Sequence, residues 1–101
     1  MAILQRAMMQ IHPGKWDELE ELDKRMTAVE DRLGFPPKRQ YKCYFGAHDT
    51  NTYVSECEWE SFAAMEAAYT EAFADPEWQA IAAETVGVIE TDQEEIWVTW
   101  P

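Results

Sequence analysis

The order of apolar patterns along this chain limits its fold more than any other feature: strand, helix, strand, strand, helix, strand. Alternation at every second residue marks the strands, and recurrence at steps of three and four marks the helices. A sheet built in this order carries both helices on one face. Its other face needs a cover that the chain does not itself provide.

The first pattern, residues 3–11, alternates Ala7, Met9 and Ile11 against Leu4, Arg6, Met8 and Gln10, and His12-Pro13-Gly14 breaks it. A helix over residues 15–33 follows, with a single stripe of Leu19, Leu22, Met26, Val29 and Leu33. Asp17 and Glu18 open that helix and Arg32 ends it, in keeping with the helix dipole, before Gly34 and Pro36-Pro37 stop it. Residues 38–46 and 52–59 read as a hairpin around residues 47–51. That pattern places Tyr41, Cys43, Phe45, Tyr53, Ser55, Cys57 and Trp59 on one face, with Gln40, Lys42, Tyr44, Val54, Glu56 and Glu58 on the other. A second helix starts at the N-cap Ser61 with the stripe Phe62, Met65, Tyr69 and Phe73. Asp75-Pro76-Glu77 then caps a further helical segment in which Trp78, Ile81, Ala82 and Thr85 point inward, closed by Gly87. The last strand, residues 94–100, alternates Ile96 and Val98 against Glu95, Trp97 and Thr99.

This is the ferredoxin-like β-α-β-β-α-β order, an α+β fold with a four-stranded antiparallel sheet and its helices on one face. At 101 residues it is a single domain, 1–101, and buries roughly 60–70% of its unfolded surface. The helix side takes the apolar face. Leu4, Met8, Tyr44, Val54 and Trp97 are then left on the opposite face as a patch that soluble monomers seldom tolerate. A homodimer joined sheet to sheet hides it and leaves a mixed polar and aromatic space between the subunits.

The local wording resembles the NIPSNAP-like branch of the dimeric α/β-barrel superfamily. The matching pieces are Pro13-Gly14-Lys15, the passage Cys57-Glu58-Trp59-Glu60-Ser61-Phe62, and Asp75-Pro76-Glu77-Trp78. The resemblance implies a homodimer whose sheets enclose a barrel-like cavity. Relatives include cofactor-free monooxygenases of the antibiotic-biosynthesis type, haem-degrading enzymes and isomerases, besides members with no assigned reaction. Fold alone does not choose among them. The haem users hold iron with a helical histidine, and neither predicted helix here has one.

Net charge is −12, unevenly distributed: all eight Lys and Arg residues lie at or before Lys42, and twelve acids follow from Glu56 onward. Such a field argues against nucleic-acid and anionic-membrane partners. No apolar run approaches the roughly 20 residues of a membrane helix, and Ile3 already opens the first strand pattern where a leader would stand. Two cysteines are too few for a secreted disulfide scaffold, so the cytoplasm is the expected compartment.

His12 and His48 stand in separate loops, so no histidine cluster for a metal is expected, and no cofactor. Cys43 and Cys57 are expected across from each other on the helix side, as two reduced thiols. The cavity-facing candidates are Arg6, Tyr44, Glu56, Glu58 and Trp97. Burial would raise a glutamate toward general-base range, whereas Arg6 and Lys42 would neutralise the pair across neighbouring strands. Tyr44 and Trp97 suit stacking on an aromatic ligand or filling a dimer core. The expected function is binding of a small, partly apolar molecule between the sheets. The alternatives are cofactor-independent oxygenase or isomerase chemistry, and a non-catalytic interaction module built on the acidic second half.

Overall fold

The computed structural model describes residues 2–101. Strand β1 is Ile3–Ile11, helix α1 Trp16–Arg32, β2 Lys38–Lys42, β3 Thr52–Trp59, α2 Phe62–Ala74, α3 Pro76–Glu84, and β4 Ile89–Val98, with one 3-10 turn at Thr85–Gly87. The sheet order is β2-β3-β1-β4, all neighbours antiparallel, as a ferredoxin-like fold requires.

The expected caps form. Ser61 Oγ accepts from the Ala64 amide at 3.1 Å, and Asp75 Oδ1 accepts from the Trp78 amide at 3.0 Å with Pro76 in the first turn. Helix α1 ends where Gly34 takes a φ of +82°. The Gly34 amide donates to Asp31 O and the Phe35 amide to Glu30 O, at 3.2 and 2.9 Å, which closes the helix and turns Phe35 back toward the sheet. The core gathers Ile11, Leu19, Leu22, Val29, Ile81 and Val88 between β1, α1 and α3. Ile11 and Ile81 are fully buried, and truncating either to alanine costs about 2–5 kcal/mol.

Strand β2 departs from the sequence reading. It stops at Lys42, and Lys38 pairs with Cys57, Gln40 with Ser55 and Lys42 with Tyr53. Lys38, Gln40 and Lys42 therefore share the helix side, while Arg39 and Tyr41 face the open side. The cause is electrostatic. Asp23 and Glu30 of α1 face this edge of the sheet and hold the Lys38 ammonium at 2.8 and 2.9 Å. The Lys42 ammonium lies 4.3 Å from the Trp16 ring centroid. Tyr44 and Phe45 fall in the loop beyond the strand and are almost wholly exposed. Cys43 and Cys57 are consequently not cross-strand partners. Cys43 Sγ lies 3.2 Å from the His48 carbonyl and Cys57 Sγ 3.5 Å from that of Pro36. Both thiols are free.

The α2 stripe is also less covered than its spacing suggests. The buried residue of α2 is Ala72, outside that stripe, whereas Phe62 and Phe73 remain about half exposed. Phe73 touches Tyr69 and Trp78 and its remaining surface borders a cavity.

Candidate functional site

That cavity lies between the sheet and the helices, with a volume of about 450 Å³. Gln5, Ala7 and Met9 of β1 and Tyr53, Ser55 and Cys57 of β3 form its floor. Leu22 and Met26 of α1, Tyr69 and Phe73 of α2, and Trp78 and Ile81 of α3 form its roof. Asp92 and Glu94 of β4 stand at one side, and Lys38 with Asp23 and Glu30 at another.

Gln5 is the organising residue. Trp59 Nε1 can only donate, and it donates to Gln5 Oε1 at 2.9 Å. The amide nitrogen of Gln5 must then face the other way, where it donates to Tyr69 Oη at 2.8 Å and to Glu94 Oε1 at 3.1 Å. Tyr69 accepts that bond, so its own proton is left to donate elsewhere. A carboxylate and a phenol hydroxyl are thus fixed on one nitrogen, separated by no more than those two bonds.

Burial, and then the neighbouring Asp92, push the Glu94 carboxyl up to about 7, against the opposing Gln5 bond. Glu94 stands at the mouth of the cavity with one side in water, which limits how strongly burial acts on it. Burial also raises the Tyr69 phenol. At the far side, burial works to lower the Lys38 ammonium, but Glu30 and Asp23 outweigh it and carry it above its usual value. Burial, with Glu30 nearby, pushes the Cys57 thiol up to about 11, which keeps it protonated and a poor nucleophile at neutral pH. Among the described residues no three His, Cys, Asp or Glu side chains converge as a metal site would require.

Aromatic rings continue the wall from this polar node. Phe35 meets Trp59 and Tyr69 edge-on at centroid distances of 5.2 and 5.1 Å. Tyr69 leads to Phe73 at 5.7 Å and Phe73 to Trp78 at 5.2 Å.

The residues singled out from sequence lie elsewhere. Arg6 and Glu56 are register partners on the open face of the sheet, 3.6 Å apart, and Arg6 Nε is buried without a hydrogen-bond partner. Glu58 pairs with Arg39 at 3.6 Å rather than with Lys42, which the phase of β2 sends to the helix side. Trp97 sits opposite Leu4 on the open face, half exposed. Tyr44 stands apart in the β2–β3 loop. None of these five lines the helix-side cavity. Sequence reasoning missed Gln5, Asp92 and Glu94. A signal for Glu94 existed, since it has the parity of Ile96 and therefore puts a carboxylate on the apolar face.

A NIPSNAP family profile matches residues 6–101. No curated protein sequence matches the chain. Among solved structures, a NIPSNAP family protein from Agrobacterium tumefaciens superposes with a TM-score of 0.83 at 17% identity, covering 98% of this chain and 86% of that one. An uncharacterized NIPSNAP-like domain protein from Burkholderia xenovorans gives 0.82 at 16% identity, with 98% and 85% coverage. SnoaB, a cofactor-independent oxygenase from Streptomyces nogalater, gives 0.75 at 18% identity, with 99% and 94% coverage. At these identities the likeness is one of fold.

Proposed function

The chain belongs to the NIPSNAP family, and from that premise we propose that it acts as a single-domain homodimer binding a small, partly apolar molecule between its sheet and its helices. One observation carries this reading: a cavity of about 450 Å³ with mainly apolar walls and a few converging polar groups around Gln5. That size and mixture are typical of sites for small organic ligands.

The open face of the sheet supports the dimer. It presents Tyr41 and Trp97 half exposed, as a face covered by a second copy would. Arg6, Glu56, Glu58 and Trp97 then lie between the two sheets, with Tyr44 at the border. In this reading they complete the subunit contact and border any space enclosed there, while the principal ligand site is on the helix side. No helix among the described residues is long and apolar enough to cross a membrane, and two free thiols agree with a cytoplasmic setting.

A second reading, cofactor-independent oxygenase or isomerase chemistry, has its own support. Glu94 and Tyr69 set a proton acceptor and a hydrogen-bond donor side by side on Gln5.

The test combines sedimentation with a thermal-shift panel of small aromatic and aliphatic compounds. A dimer at micromolar concentration, stabilised by compounds whose effect Phe73→Glu abolishes, is the expected result. A species of 11.8 kDa ends the dimer proposal, and a panel without any stabilising compound ends the ligand proposal. Glu94→Gln protein that binds a substrate normally but does not turn it over would favour the catalytic reading.

A further inference from the structure

Resting on the ligand reading above, we infer that the molecule held in the helix-side cavity is an organic cation, an amine with an apolar or aromatic body, whose charged nitrogen lies against Glu94 and Asp92. The charge of the lining points there first. Four carboxylates, Asp23, Glu30, Asp92 and Glu94, stand against one ammonium, Lys38. Lys38 is already committed to Asp23 and Glu30 at 2.8 and 2.9 Å, and no cation among the described residues pairs with Asp92 or Glu94. The chain cannot readily supply one, because no Lys or Arg follows Lys42 and Arg6 of the neighbouring strand faces the other side of the sheet. An anionic ligand meets repulsion here, whereas an ammonium group is drawn to the unpaired carboxylates.

The cavity wall is the second, independent observation. From the Glu94–Gln5–Tyr69 node the surface continues through Phe73 to Trp78, with ring centroids 5.7 and 5.2 Å apart. Aromatic faces beside a carboxylate attract an organic cation through ring electrostatics and carry its apolar body at the same time. The hydroxyl proton that Tyr69 does not use toward Gln5 remains for an acceptor on the ligand.

In the empty site burial and the neighbouring Asp92 favour a proton on Glu94, and a bound ammonium competes with that proton. The groups facing Glu94 are Asp92 on β4 and Tyr69 on α2. Gln5 on β1 is uncharged, Trp78 and Ile81 on α3 do not titrate, and Asp23, Glu30 and Lys38 form their own cluster on α1 and β2. Amine affinity should therefore rise between about pH 6 and pH 8, as Glu94 gives up its proton, and fall only where the amine itself loses charge, near pH 10 for a primary amine.

Three probes with one naphthalene body test the inference: 2-(aminomethyl)naphthalene, 2-naphthalenemethanol and 2-naphthoate, measured by calorimetry at pH 6 and pH 8. At pH 8 the amine should bind at least tenfold tighter than the carboxylate, with the alcohol between them and insensitive to pH. Glu94→Gln should bring the amine to the level of the alcohol. Glu90→Gln, on the same strand outside the cavity, should leave every affinity unchanged and so separates the site from general attraction to an acidic protein. Naphthoate binding as tightly as the amine overturns the inference, as does equal loss in the Glu90 and Glu94 variants. In those cases the cavity still binds a ligand. Failure of all three probes and of the wider panel removes the ligand reading itself, and the cation inference with it.

Discussion

Trp59 Nε1 donates to Gln5 Oε1 at 2.9 Å, and this one bond decides which end of the Gln5 amide faces Tyr69 and Glu94. The two residues are diagonal neighbours on the helix side of β1 and β3, Trp59 lying opposite Ile3 and Gln5 opposite Cys57, with Trp59 buried at 4% exposure. Gln5→Leu removes the acceptor and leaves an indole N–H buried without a partner, while also releasing Tyr69 and Glu94. We expect a loss of about 1–3 kcal/mol in urea-induced unfolding. The Glu94 carboxyl should also titrate higher by NMR, because the Gln5 bond that favours its charged form is gone. A variant as stable as the parent would mean that the indole finds another acceptor.

Lys38 offers a contrasting case. Its ammonium joins Asp23 and Glu30 at the closed side of the cavity, and its side chain is 16% exposed. Lys38→Met leaves two carboxylates facing each other with no cation, and should cost about 2–4 kcal/mol at pH 7. In the parent protein the folded-state pKa of Lys38 lies above its ordinary 10.5. The stability it contributes is then fully present below about 10.5 and is lost only as pH rises through the folded value. Chemical denaturation at pH 7 and 9 checks this: the cost of the substitution should be the same at both.

Trp97 tests the other face. It lies across from Leu4 on the uncovered side of the sheet, at 51% exposure. Trp97→Arg places a charge where a second copy is proposed to pack, beside Arg6. Sedimentation should then show the monomer mass of 11.8 kDa, while any compound bound on the helix side is retained. Simultaneous loss of dimer and ligand would tie the two faces together.

The architecture was legible because its signals are local and repeated. The α1 stripe, the Ser61 and Asp75 caps and the β1 alternation each reach the structure unchanged. The phase of β2 was not legible, since aromatic Tyr41 and Phe45 outweigh Lys38 in any reading of hydrophobic alternation. The deciding force was the pair Asp23 and Glu30 on the preceding helix, which draws the lysine inward and which strand alternation does not register. Glu94 was hidden for a related reason. A carboxylate on a strand reads as solvent-facing unless its parity with Ile96 is followed through. The cavity itself depends on how far the helices stand from the sheet, which no residue pattern encodes.

Gly34 isolates a backbone effect. It ends α1 at a φ of +82°, and a Cβ placed there meets no atom within 4 Å. Gly34→Ala should therefore cost about 1–2 kcal/mol through conformation alone. Gly87 has equally open space without that positive φ, so Gly87→Ala should be neutral or slightly stabilising. Thermal unfolding of the two variants side by side gives the comparison, and equal melting temperatures would contradict the left-handed helix end.

The cysteines provide a check on the register of β2. Cys57 pairs with Lys38, and burial with Glu30 nearby pushes its thiol up to about 11, so at pH 8 about one molecule in a thousand carries the thiolate. Cys43 lies past the end of the strand in an exposed loop, its Sγ 3.2 Å from the His48 carbonyl. Iodoacetamide at pH 8 should alkylate Cys43 at least tenfold faster than Cys57 in the native protein, and both at similar rates in urea. Peptide mapping by mass spectrometry reads the two sites separately. Were β2 phased as the aromatic pattern suggests, the thiols would face each other and react alike, or form a disulfide and react with neither. Selective labelling of Cys43 would exclude that arrangement and hold Lys38, with its two carboxylates, on the wall of the cavity.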